Sequence, residues 1–242
     1  LALSASGTGP LAYQWFRNGV PLAGANAAAL EIASAKVSDA GSYFCTVSNI
    51  TGLVSSTVAA VTVNAPVAIV SQPLGATAFT SGSVTFSVGA TGTGPLAYQW
   101  RKDGLNLEGQ TASELVLMDV QAGSAGKYDV VVSNVVGALT SATAELLVQV
   151  LPTFTSQPVN VEIIAGKPLT LSATATGTNP ITYQWRKDGV PIAGATSGTL
   201  SFAMVIETDA GLYDCVATGP AGAKNSSPAV LSVLPLSTGQ PV

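Results

Sequence analysis

The sequence predicts an all-β chain built as three tandem units, and two observations carry that prediction. A Tyr-Gln-Trp tripeptide recurs with Trp15, Trp100 and Trp185 spaced 85 residues apart; Tyr43, Tyr128 and Tyr213 keep the same spacing, as do Cys45, Val130 and Cys215. Between these anchors apolar and polar residues alternate with period two, and no stretch sustains a helical period. The 242 residues hold a little under three units, each long enough to carry its own core.

Taken in order through one unit, Val84, Phe86, Val88 and Ala90 alternate with Thr85, Ser87, Gly89 and Thr91, which predicts a half-buried strand. Its counterparts are Leu1, Leu3, Ala5 in the first unit and Leu171, Ala173, Ala175 in the third. Gly-Thr-Gly-Pro at 92–95 turns the chain into a strand ending Tyr98-Gln99-Trp100-Arg101-Lys102. Asn18-Gly19, Asp103-Gly104 and Asp188-Gly189 follow these strands, and such pairs accept the positive φ of a two-residue type I′ turn, so each unit should contain a tight hairpin. Leu30 and Ile32, Leu115 and Leu117, and Leu200 and Phe202 mark the next alternating strand. An Asp-Ala-Gly or Ser-Ala-Gly turn then leads into the Tyr-x-Cys or Tyr-x-Val strand. Ser133-Asn134 with Gly137 closes a loop before a last strand from Leu139 to Val150. The units join at Asn64-Ala65-Pro66 and Leu151-Pro152, where proline stiffens a short connector and should hold neighbours end to end. The expected domains are 1–65, 66–150 and 151–236, with 237–242 as the start of a further domain or a donor strand.

Composition narrows the function. Charged residues make up 9% of the chain and its nine Lys and Arg form no basic stripe, which excludes nucleic acid as a partner. The apolar runs fall far short of the roughly 20 residues of a membrane span, so no membrane insertion is expected in this segment. There is no histidine, the commonest general base and metal ligand. Asp39 and Asp209 recur in position but Ser124 replaces them in the second unit, which points to a local backbone acceptor rather than a catalyst. Asp103, Glu108, Glu114, Asp119 and Asp129 are scattered without Asp-x-Asp spacing. No catalytic, cofactor or metal site is assigned, and the chain is not read as an enzyme. Cys45 and Cys215 occupy equivalent positions in different units and cannot share a core, so both are expected as buried free thiols, with intermolecular bridging as the alternative. Asn49-Ile50-Thr51 and Asn225-Ser226-Ser227 match the N-glycosylation pattern but are read as ordinary loop or edge residues. The Arg-Lys-Asp tips at 101–103 and 186–188 are read as solvated turn charges that discourage edge pairing.

The Trp on the third strand, with Asp-x-Gly-x-Tyr-x-Cys further on, resembles the immunoglobulin fold, specifically I-set-like units of large bacterial surface or secreted proteins; the resemblance covers the whole chain. It implies three tandem immunoglobulin-like β-sandwiches, the first lacking its N-terminal strand. Trp15, Trp100 and Trp185 then look like the core Trp of the family, Tyr43, Tyr128 and Tyr213 like its tyrosine corner, and Cys45, Val130 and Cys215 occupy the second cysteine position. The first cysteine position holds Leu3, Val88 and Ala173, so the intersheet disulfide is absent and each core holds by apolar packing, without a contribution typically of about 2–4 kcal/mol. The bacterial affiliation rests on the low charge and the Thr-Gly-Thr-Gly-Pro-Leu-Ala-Tyr-Gln-Trp-Arg-Lys-Asp-Gly wording.

The first unit starts at the equivalent of Leu171, while residues 237–242 resemble 155–159, the beginning of the strand that the first unit lacks. Either the chain is a window of a longer array, or the terminal strand of one subunit completes the sandwich of the next. The expected function is a non-enzymatic stalk, fibre or surface filament, extracellular or at the cell surface. Its partners would be neighbouring copies of itself, other surface proteins or glycans. The alternatives are an adhesion module recognising carbohydrate or protein through its end loops, and accessory domains of a large secreted enzyme.

Overall fold

The computed structural model describes residues 1–236, and the expected donor strand at 237–242 lies outside them. The chain is three successive β-sandwiches. In the second unit one sheet contains the tryptophan strand Ala97–Lys102, the tyrosine strand Gly126–Ser133, the closing strand Ala144–Gln149 and the parallel strand Ala76–Phe79. Across the core, Val84–Ser87 pairs with Glu114–Leu117, and Ala68–Ser71 pairs with Gly89–Thr91. Inward residues of both layers, among them Phe86, Leu115, Trp100, Tyr128 and Leu146, form one buried cluster. The third unit repeats this arrangement around Leu171, Trp185, Tyr213 and Leu231.

Each tryptophan faces the residue at the cysteine position directly across the strand pair: Trp15 opposite Cys45, Trp100 opposite Val130, Trp185 opposite Cys215. Both members of each pair are buried, so this position is filled by apolar side chains without a bridge. The hairpins form as expected. Asn18 and Gly19, Asp103 and Gly104, and Asp188 and Gly189 all have φ between 50° and 82°, the left-handed conformation that Asn, Asp and Gly tolerate.

Two expected strands are divided. The run from Leu139 to Val150 splits into Ala138–Thr140 and Ala144–Gln149, because Ser141 turns its hydroxyl inward to accept from the Val130 N–H at 3.0 Å. The run from Val84 to Thr91 breaks at Val88, whose N–H goes to Ser113 O, and its halves pair with different partners. The turns expected ahead of the tyrosine strands contain single turns of 3-10 helix at Val37–Asp39, Ala122–Ser124 and Glu207–Asp209. Three residues are too few for a helical period to show in sequence.

The first unit keeps the tryptophan strand Ala12–Arg17 and the tyrosine strand Gly41–Asn49, but its other layer is reduced to an isolated bridge between Ala2 and Ala29. Among its described residues only Trp15, Tyr43 and Cys45 are buried hydrophobics. Leu1, equivalent to Phe86, is 42% exposed where Phe86 is 1%.

Candidate functional site

The residues singled out by their repetition are structural in all three units. Each indole N–H donates to a backbone carbonyl, of Ala27, Ala112 and Ser197, at 2.9–3.0 Å. The glutamine of Tyr-Gln-Trp has an equally fixed role: Gln14, Gln99 and Gln184 each donate from Nε2 to the carbonyl of the following tryptophan and to that of Leu22, Leu107 or Ile192. The hydroxyls of Tyr43, Tyr128 and Tyr213 donate to the carbonyls of Asp39, Ser124 and Asp209, each at 2.7 Å. Asp39 and Asp209 accept the N–H of Lys36 and Ile206, and Ser124 does the same for Gln121, so a carboxylate and a hydroxyl interchange in one backbone role. Burial raises the pKa of Tyr213 to about 12 and that of the Cys215 thiol to about 11. Cys45 and Cys215 are both free and buried.

The Arg-Lys-Asp tips are not free charges. Arg101 forks onto Asp129 across the strand pair at 2.6 and 2.9 Å, and Arg186 engages Asp214 in the same way. The Asp129 hydrogen bond raises the Arg101 pKa, as Asp214 does for Arg186. Lys102 and Lys187 donate to the carbonyls of Gly123 and Thr208, and Asp103 and Asp188 accept from the N–H groups of Lys127 and Leu212. These side chains lock the hairpin to the turn before the tyrosine strand. In the first unit Phe16 and Phe44 take the places of the arginine and aspartate and stack with centroids 4.8 Å apart.

The connectors between units are hydrogen-bonded into the unit that follows. At the first, Ala65 donates its N–H to Thr93 Oγ1 at 2.7 Å and accepts from the Thr93 N–H at 3.1 Å. Asn134 Nδ2 then bridges the carbonyls of Ala65 and Thr93 at 2.8 and 3.0 Å. At the second, Val150 and Thr178 exchange the same pair of bonds. Gly219 replaces the asparagine there, and a Cβ on it would meet Thr178 O at 3.0 Å, with a ring carbon of the buried Pro152 at 3.5 Å. Both connectors share the threonine pair of bonds, and the first adds the Asn134 carboxamide where the second has a glycine closely approached by its neighbours. Thr93 and Thr178 were not singled out from the sequence, and Asn134 only as a loop residue, although Thr8, Thr93 and Thr178, and Asn49 and Asn134, share the 85-residue spacing that marks the core.

Asn49, in the glycosylation-like triplet, donates to Thr8 O at 2.9 Å and accepts from the Thr51 N–H and hydroxyl. It therefore sits as Asn134 does, beside an open cleft of about 770 Å³ lined by Leu3, Leu11, Val47, Leu53 and Val54 with small polar residues. Among the described residues no group of three or more Cys, Asp or Glu side chains is placed to hold a metal, and no helix is long and apolar enough to cross a membrane.

The immunoglobulin-domain family model matches residues 152–219. Hemicentin-2 of Mus musculus is 33% identical over 199 residues, covering 76% of this chain, and Roundabout homolog 1 of Rattus norvegicus is 30% identical over 212 residues, covering 80%. The chain spans only 4% and 13% of those relatives' lengths. A three-domain I-band fragment of titin superposes with a TM-score of 0.76 at 19% identity, over 95% of this chain and 90% of the fragment. The two sequence relatives are animal proteins, so the bacterial affiliation expected from the wording gains no support from them. The repeated indole and tyrosine corner, the two-layer topology and the titin superposition agree that the chain is a tandem array of immunoglobulin-like domains.

Proposed function

We propose that the chain is a non-enzymatic, extracellular structural segment, a length of stalk, fibre or surface filament assembled head to tail. The observation that carries this reading is the grip on the connectors: Ala65 and Val150 are each hydrogen-bonded on both backbone groups into the sandwich that follows. A connector held at both its donor and its acceptor loses the freedom of an ordinary linker, so separation and direction pass from one domain to the next. The likeness to a short stretch of two much longer proteins is consistent with a segment of a repeat array. Small-angle scattering from residues 1–236 tests it: the expected result is a stiff rod of constant length, and a distribution of bent shapes overturns it.

One observation favours a second reading, an adhesion module. Ile50 is 92% and Val135 75% exposed at the tips of equivalent loops, where an apolar side chain gains nothing for the fold. Binding of the triple domain to a glycan array or to surface proteins, lost on Ile50→Ser, would support that reading against a pure spacer.

A further inference from the structure

We propose that when the array yields, it yields at one junction: the connector entering the second sandwich is a releasable latch worked by the Asn134 carboxamide, and the connector entering the third is a fixed joint. This rests on the stalk reading above and assigns the place where such a stalk gives way. Both connectors share a common hold. Each exchanges a pair of bonds with a threonine, and each passes close over a glycine, where a Cβ on Gly92 would meet Pro66 O at 2.9 Å and one on Gly177 would meet Pro152 Cα at 3.1 Å. They differ in what the hairpin after the tyrosine strand adds.

At the first connector the addition is polar. Asn134 Oδ1 accepts the N–H groups of Val136 and Gly137 and so folds the loop, while Nδ2 donates to Ala65 O and Thr93 O. A single half-buried side chain therefore completes the grip, and water can replace its bonds when the carboxamide turns away. The packing around it is open. A Cβ on Gly137 would meet nothing within 4 Å, and Val67, which follows the connector, is only half-buried.

At the second connector the addition is apolar. By the 85-residue spacing, Gly219 stands where Asn134 does and Gly222 where Gly137 does. A Cβ on Gly219 would meet Thr178 O at 3.0 Å and a ring carbon of Pro152 at 3.5 Å, and one on Gly222 would meet Leu151 Cδ2 at 3.1 Å. Leu151 and Pro152 thus lie against backbone that only glycine leaves bare, and Pro152 is buried where its equivalent Val67 is not. Freeing this connector exposes apolar surface as well as breaking hydrogen bonds, whereas freeing the first mainly trades protein partners for water. Local opening is therefore easier at the first.

Native-state amide exchange of residues 1–242, read by NMR at the N–H groups of Ala65 and Thr93 and, in the same sample, of Val150 and Thr178, tests the proposal. After correction for intrinsic rates, the first pair should exchange about tenfold faster than the second. Asn134→Ala should speed the first pair about tenfold further and leave the second unchanged. Asn134→Asp should speed it more than Asn134→Ala does, because the carboxylate keeps an acceptor for Val136 and Gly137 but turns a second acceptor toward two carbonyls. A residue that merely ordered its own loop would give the opposite ranking. Gly219→Ala should loosen the second pair alone. Equal protection of the two pairs, faster exchange at the second, or an Asn134→Asp effect milder than that of Asn134→Ala overturns the proposal. Scattering from residues 1–236 keeps the two readings apart: a stiff rod with equal exchange sinks only the latch, whereas a distribution of bent shapes with unequal exchange sinks only the rigid stalk.

Discussion

The first and second sandwiches share their indole, their tyrosine corner and their hairpin, yet differ in how much of that skeleton is sealed. Phe86, Val132, Ala144 and Leu146 are all at most 1% exposed, whereas their equivalents in the first unit, Leu1, Val47, Ala59 and Val61, are all half-buried or exposed. The residues are comparably apolar. The second sandwich is covered by Ala68–Ser71 and Ala76–Phe79, whose equivalents for the first unit would, by the 85-residue spacing, fall before Leu1. A core is thus a property of the closed pair of sheets, and side chains with the right pattern remain wet until both edges are covered.

Removal of the indole should break that comparison most visibly. Trp100→Ala is expected to destabilise the second unit by about 3–5 kcal/mol, as large buried aromatics do, and Trp15→Ala to destabilise the first by clearly less, because its surroundings are already partly open. Denaturant unfolding followed by fluorescence of the remaining tryptophans checks this, and equal losses would mean that the first core is closed in solution.

Alkali should separate the second and third units by a smaller margin. Tyr213 and Cys215 are raised to about 12 and about 11 from ordinary values of 10.0 and 9.0 by burial. Their neutral forms belong to the folded state, so their contribution is complete below pH 9 and disappears as pH rises through 11 to 12. Val130 stands in the thiol's place in the second unit. Thermal melts between pH 8 and 12 should therefore show the third unit weakening first, and Cys215→Val should reduce the difference.

Tyr128→Phe and Tyr213→Phe are each expected to cost about 1 kcal/mol, the net value of a hydrogen bond to a local carbonyl. The two losses should agree within error, because the bonds to Ser124 and Asp209 have the same length. The smallest effect concerns the cross-strand pair. Phe44→Asp alone should weaken the first unit, and adding Phe16→Arg should recover roughly 0.5 kcal/mol by recreating the Arg101–Asp129 arrangement. A double-mutant cycle by urea unfolding measures the coupling, and a coupling of zero would show that the two pairs are not interchangeable.

Repetition made the fold legible. The spacing of tryptophan, tyrosine and cysteine positions marks residues whose partners lie in the same unit, so their burial follows from strand alternation and from the need to cover an indole. The Asn-Gly and Asp-Gly turns were equally readable, since positive φ is a local demand. The split of the last strand at Ser141 was not, because a serine in a Thr- and Ala-rich strand looks like any outward polar residue until its hydroxyl is seen to accept from Val130. The Arg-Lys-Asp tips looked solvated for the same reason: Asp129 and Asp214 lie 28 residues beyond their arginines in sequence.

By itself, then, the amino-acid sequence determined the β class, the three-fold repetition, the positions of the buried aromatics and the lack of a cysteine pair within any one unit, all of which depend on local pattern or on residue identity. Only the tertiary structure decided that Thr93, Asn134 and Thr178 hold the connectors and that the charged tips are tied down. Those features arise where segments far apart in the chain meet, and a hydrogen bond between such segments leaves no periodicity for a sequence to show.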